Sequence, residues 1–277
     1  MRRLSARLRL FIPPFSWVAV FYVFPLLLIL VVSFAARGQW GGVRWEFHPA
    51  NYARLLDPLY LKVFARSLVL TSAATLLCAV LAFPISWWMA RLPRGRREVA
   101  LLLVLIPFWT NILVRLYAWM FILGRGGLLN SLLVASGLVS EPLPILYTRE
   151  AVLLGLVYGQ LPFMVLPLYA ALEKIDVALL EAARDLYATP WQAFRRVVLP
   201  LSKPGLVAGC ILVFASTLCD FVTPDLLGGA RVALIGNLIQ GQYLVVRDCP
   251  FGSALALAEM ALIGGGLVLY LRAEKAA

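Results

Sequence analysis

Three acidic side chains stand inside or at the edge of apolar sequence: Asp220, Asp225 and Glu259. A carboxylate is costly in hydrocarbon, so residues of this kind face a cavity, a partner or an opposite charge. Facing a cavity, they would offer negative charge to whatever occupies it. Placed in a wall, Asp225 would form an ion pair with Arg231, Arg247 or Arg115, and both readings stand at this point. A second group, Glu181-Ala182-Ala183-Arg184-Asp185-Leu186, offers contact chemistry: two small alanines that allow close approach, flanked by charges. Covalent chemistry has little to work with. His48 is the only histidine, and Cys78, Cys210, Cys219 and Cys249 show no CxxC or CxH spacing, so they read as small apolar packing residues. No HExxH, GxSxG or G-x-x-x-x-G-K-[ST] occurs, which argues against an intramembrane protease or lipid transferase and against ATP held by a P-loop. No catalytic residue, metal ligand set or cofactor site is expected.

The elements that must carry these residues are membrane helices. The chain has 277 residues, 62% of them apolar and only 14% charged, with a mean hydropathy of +0.88. A soluble domain carries about a quarter charged residues, so lipid must solvate part of this surface. The net charge of +11 sits at the ends of apolar runs and reads as topology, not as a nucleic-acid surface. Charge-free or nearly charge-free runs cover 11–36, 67–90, 99–123, 151–172, 204–221 and 251–271, the third interrupted by Pro107, Asn111 and Arg115. The first follows Arg2, Arg3, Arg7 and Arg9 and is longer than a signal-peptide core, which favours a retained anchor over cleavage near Ser33. Residues 124–149 read as an external loop with a short helix, and 232–246 as a partly inserted or external helix. Lys and Arg number fifteen in segments 1–12, 91–97, 173–203 and 272–277, against eight in 37–62, 124–150 and 228–250. The denser set belongs in the cytoplasm, which predicts six spans with both termini inside.

Segment 173–203 is long and patterned. Asp176 can cap a helix on which Leu179, Leu180, Ala182, Ala183, Leu186 and Tyr187 share one face and Glu181, Arg184 and Asp185 the other. Thr189 and Gln192 form a capping-box pattern with Pro190 at the first helical position, and Pro200 and Pro204 are expected to end that second helix. An amphipathic helix with two acids and one arginine suits a protein groove better than an anionic lipid surface.

Glu181-Ala182-Ala183, followed by Val198-Leu199-Pro200, resembles the EAA loop of permease subunits in ATP-binding-cassette importers. Leu113-Val-Arg-Leu-Tyr-Ala-Trp119, Leu161-Pro-Phe-Met-Val-Leu-Pro167, Pro224-Asp-Leu-Leu-Gly-Gly229, Ile235-Gly-Asn237 and Arg247-Asp248 before Pro250-Phe251 extend the resemblance, over roughly residues 60–272, to permeases of the spermidine/putrescine type. The family has Gly where this chain has Tyr187, a departure that bears on the turn between the two helices.

The resemblance implies an all-α membrane protein with six transmembrane helices and the type I importer permease (MetI-like) fold. It implies an anchor helix and external loop over 1–62, and a permease core over 63–272 with its cytoplasmic EAA loop at 173–203. The location implied is the bacterial inner membrane. The partners implied are membrane lipid, cytoplasmic ATP-binding subunits, a second permease subunit and an external solute-binding protein. Nucleic acid is not among them. Glu181 to Leu186 would couple to the ATPase, and Asp220, Asp225 and Glu259 would line the translocation path or its gate, Glu259 alternatively pairing with the second permease. The solute implied is a polyamine. Related permeases serve opines, iron, thiamine or sulfate, and a stand-alone secondary transporter fits poorly because no internal repeat is evident.

Overall fold

The computed structural model describes residues 13–276, so the basic segment 1–12 that the topology count used lies outside the described residues. Among the described residues, six helical stretches are long and apolar enough to cross a membrane: Pro13–Ser33, Pro58–Ala90, Ile112–Ala135, Arg149–Leu172, Pro190–Leu218 and Cys249–Val268. The chain divides into two compact units, one formed by Met1–Lys62 with Leu238–Ala277 and the other by Val63–Asn237.

In the first unit, α1 (Pro13–Ser33) leads into a two-stranded antiparallel hairpin, β1 (Ala36–Arg37) with β2 (Val43–Arg44), and a short α2 (Ala50–Arg54). Polar bonds tie these pieces together where the apolar run ends. Buried Asn51 donates from Nδ2 to the carbonyls of Ser33 and Ala35, each at 2.9 Å, and the Ser33 and Tyr52 hydroxyls lie 2.7 Å apart. Arg54 binds the buried carboxylate of Asp248 at 2.9 Å and lies 3.9 Å from the centre of the Phe251 ring. The last helix, Cys249–Ala276, packs along the second half of α1, whose lipid-type side chains from Phe15 to Val31 remain largely exposed.

The second unit holds α3 (Pro58–Ala90) from Val63 onward, α4 (Arg94–Trp109), α5 (Ile112–Leu123), α6 (Leu128–Ala135), α7 (Arg149–Leu172), α8 (Val177–Asp185), α9 (Pro190–Leu218) and α10 (Val222–Gly228). Next come α11 (Ile235–Leu244) and α12 (Cys249–Ala276), the latter belonging to the first unit. The most extensive packing joins α7 to α9. Small residues make it possible: a Cβ on Gly205 would come within 2.5 Å of the Pro167 carbonyl, and one on Gly209 within 2.6 Å of Met164 Sδ. In lipid, where apolar contact drives no association, such close approach is what holds helices together. Across α3 and α7, Ser86 Oγ donates to the Val165 carbonyl at 3.1 Å, a polar bond of the kind that survives in hydrocarbon.

Two expectations change. The stretch 99–123 is two helices, because Thr110 and Asn111 are extended and Asn111 Oδ1 caps α5 by accepting from Leu113 N at 2.8 Å. With Pro107 unable to donate, α4 alone spans only about 24 Å at 1.5 Å per residue. The second helix after 173 does not end at Pro200 or Pro204 but runs on through Leu218. A π turn at Phe194–Val198, closed by Leu199 N donating to Phe194 O, widens the helix just ahead of Pro200. It makes room for a ring that would otherwise crowd the carbonyl four residues back. The same device precedes Pro25, where a π turn at Ala19–Val23 is closed by Phe24 N on Ala19 O.

Candidate functional site

At the end of the second unit that carries the 91–97 turn, α8 is set by its two caps. Asp176 is extended and its Oδ1 accepts from Ala178 N at 3.0 Å, which starts the helix as expected. The helix ends in a Schellman motif: Tyr187 N donates to Arg184 O at 2.9 Å and Ala188 N to Ala183 O at 3.0 Å. That motif needs a left-handed residue, and Tyr187 occupies it with φ +57°. Glycine fills this position without steric cost, so the departure from the family residue falls where glycine has most to offer. The capping box follows, with Thr189 N donating to Gln192 Oε1 at 2.9 Å and Gln192 N to Thr189 Oγ1 at 3.3 Å.

The apolar face expected on α8 is split. Leu180 packs against the core that contains Val198 and Met89, beside Phe194 and Trp87, and Ala183 is half-buried. Leu179, Ala182, Leu186 and Tyr187 point away and are exposed, Leu186 and Tyr187 by 82% and 95%, so none of the described residues covers this row. Glu181, Arg184 and Asp185 are also exposed. Of the six residues Glu181 to Leu186, all but the half-buried Ala183 are therefore presented together, on a short helix with one side fastened to its own bundle.

Beneath α8, Arg97 pairs with Glu173 and donates from Nη2 to the Ala90 carbonyl at 3.0 Å. Arg91 stacks 3.8 Å from the centre of the Trp87 ring. Burial and the neighbouring positive charge of Arg184 push the Arg91 guanidinium below its usual range.

At the opposite end of this unit, Asp220 has a local use. Its Oδ1 accepts from Val222 N and Thr223 N at 2.9 and 3.1 Å and its Oδ2 from Thr223 Oγ1 at 2.6 Å, capping α10. Its position two residues before a helix is the signal that could have marked it as a cap. Asp225, one turn on, is exposed and lines a cavity of about 700 Å³ with Arg125, Arg231 and Tyr147. It forms no ion pair among the described residues, so of the two readings left open the pairing with Arg231 or Arg115 is not made within this unit. Arg115 instead lies 5.8 Å from the Phe108 ring centre and 6.0 Å from that of Tyr158. Tyr147 is left-handed at φ +66°, and its N–H donates to the Leu227 carbonyl at 3.0 Å, which ties the 143–148 segment to α10. Glu259 is buried on α12, in the other unit. No group of three His, Cys, Asp or Glu able to hold a metal exists among the described residues. Sequence reasoning missed the Arg54–Asp248–Phe251 cluster, although Asp248 and Phe251 stood in a stretch already singled out.

A family model described as "Binding-protein-dependent transport system inner membrane component" matches residues 82–272. The spermidine/putrescine transport system permease protein PotB of Salmonella typhimurium (strain SL1344) is 45% identical over 260 residues, covering 94% of this chain and 91% of that protein. PotB of Escherichia coli (strain K12) is 44% identical, covering 94% of each. Among solved structures, a bacterial alginate ABC transporter in complex with an alginate pentasaccharide-bound periplasmic protein matches with a TM-score of 0.78 at 17% identity, covering 98% of this chain and 93% of that one. This last likeness is one of fold.

Proposed function

This chain belongs to the family of binding-protein-dependent transport system inner membrane components, and from that premise we propose that it forms the membrane path of an importer for spermidine and putrescine. The solute reading rests on identity of 44–45% to two polyamine permeases across nearly the whole chain. The coupling reading rests on one observation, the uncovered row Leu179, Ala182, Leu186 and Tyr187 on a helix whose other side is fastened to the bundle. A groove on a cytoplasmic ATPase subunit is its occupant. Closure of an ATPase pair would carry α8 as a rigid body, and α9, one turn away and continuous through the membrane, would tilt with it.

With the denser basic segments inside, α8 faces the cytoplasm, and both termini do as well. The cavity beside Asp225 then opens on the outer side, toward an external binding protein of the kind seen on the alginate transporter. Asp225, without an ion pair among the described residues, is the best placed of the three acids to meet a polyamine ammonium. Glu259 faces the path or a second permease subunit, and the Asp220 carboxylate shapes the gate through α10. ATP hydrolysis belongs to a separate chain.

Co-purification from native membranes, followed by uptake of labelled spermidine into vesicles, tests the reading. Recovery of an ATPase and a second permease with ATP-dependent uptake is expected. An intact complex that ignores polyamines would move the solute to another class while leaving the coupling reading in place.

A further inference from the structure

The recess behind α8 has a charge pattern that the outward apolar row of α8 does not explain. Two adjoining cavities, of about 400 and 240 Å³, separate α8 from α3 and the start of α9. The smaller is lined by Arg91 and Arg184 with Trp87, Leu180, Phe194 and Val198, and no acidic residue lines it. Neither arginine forms an ion pair among the described residues. In the larger cavity, which Arg91 and Arg184 also line, Glu173 is taken by Arg97, and Glu181 stands at the wall without an ion pair among the described residues; Arg97 Nε is buried with no hydrogen-bond partner among those residues. Two guanidinium groups aimed at one recess repel each other unless an anion sits between them. The fork of an arginine matches phosphate oxygens in a bidentate manner.

The position is that of a membrane surface. Arg91 follows directly on the charge-free run 67–90 and stacks on Trp87, beside exposed Trp88. Tryptophan marks the headgroup level, and basic pockets between membrane helices hold lipid phosphates. We propose that this recess binds one phosphate group, gripped by Arg91 and Arg184 against the apolar wall of Trp87, Leu180 and Phe194. An anionic glycerophospholipid headgroup and free phosphate both supply that chemistry. Bound there, the anion cancels the repulsion beneath α8 and fixes the helix against α3.

The test uses the full chain in nanodiscs of phosphatidylcholine with phosphatidylglycerol, scoring retained lipid by native mass spectrometry. Wild type is expected to retain one phosphatidylglycerol, and Arg91→Gln to lower that retention about tenfold, the loss of one charge-assisted contact. Arg91→Lys, which keeps the charge but not the fork, should fall between, and unfolding temperatures in phosphatidylcholine alone verify that each variant is folded. Arg94, 94% exposed and paired at 4.0 Å with Glu98, supplies the control, and Arg94→Gln should leave retention unchanged. A parallel arm adds inorganic phosphate to discs of phosphatidylcholine only. Stabilisation of wild type but not Arg91→Gln in that arm assigns the recess to the free anion, and retention of phosphatidylglycerol without it assigns the recess to lipid. Equal losses in Arg91→Gln and Arg94→Gln, or no selective effect in either arm, would overturn the proposal.

Discussion

The α7–α9 seam and α8 belong to one compact unit yet are built on opposite plans. In the seam, glycines at 205 and 209 bring backbones into contact and no side chain has room to grow. On α8 and the turn that follows it, Leu179, Ala182, Leu186 and Tyr187 present an apolar row to the outside, while Leu180 and Ala183 turn inward. The first arrangement resists deformation; the second has little reason to exist unless something covers it. A rigid shaft joined to an uncovered handle is what transmitting force into a bundle requires.

That contrast can be broken from the handle. Glu181→Lys, or the pair Leu179→Asp and Leu186→Asp, should lower transport-coupled ATPase activity of the assembled complex by about a hundredfold, the loss expected when an interface anchor worth roughly 3 kcal/mol is removed. Insertion and thermal unfolding of the isolated chain should stay unchanged, because these side chains touch little within it. The shaft should answer in the reverse order. Gly209→Val should destabilise the chain by about 3 kcal/mol through overpacking against Met164, seen as a lowered unfolding temperature and yield. A Gly209→Val chain as stable as wild type would mean that the seam is looser than its geometry.

Smaller effects sharpen the picture. Asp225→Asn should reduce labelled polyamine uptake about tenfold, the loss of one charge pairing of roughly 1.5 kcal/mol, without altering stability. Asp220→Asn should act instead on stability, by about 1 kcal/mol, because its carboxylate caps α10. Tyr187→Gly should stabilise the α8–α9 turn by under about 1 kcal/mol, since relief of the left-handed penalty exceeds the entropy glycine adds to the unfolded chain. A destabilised Tyr187→Gly chain would mean that the tyrosine ring makes contacts its exposure hides.

What could be read from residues alone was local. Asp176 and the Thr189–Gln192 pair announce helix starts because capping involves neighbours two and three positions apart. The apolar length of the membrane runs was equally legible. Which half of the α8 apolar face turns inward was not, since that depends on where Phe194 and Trp87 stand in space. Pro200 misled because its effect is absorbed by a widened turn beginning six residues earlier, which no spacing rule marks. Asp225 and Arg231 are close enough in sequence to suggest a pair, yet they line one cavity without forming an ion pair.

The central claim is that the outward row of α8 meets another protein while its inward side does not. A photo-crosslinking residue introduced at Leu186, and separately at Leu180, in the complex within native membranes tests it most directly. The account predicts adducts to the ATPase subunit from position 186 and adducts within the chain from position 180. Adducts to lipid alone from position 186 would contradict it.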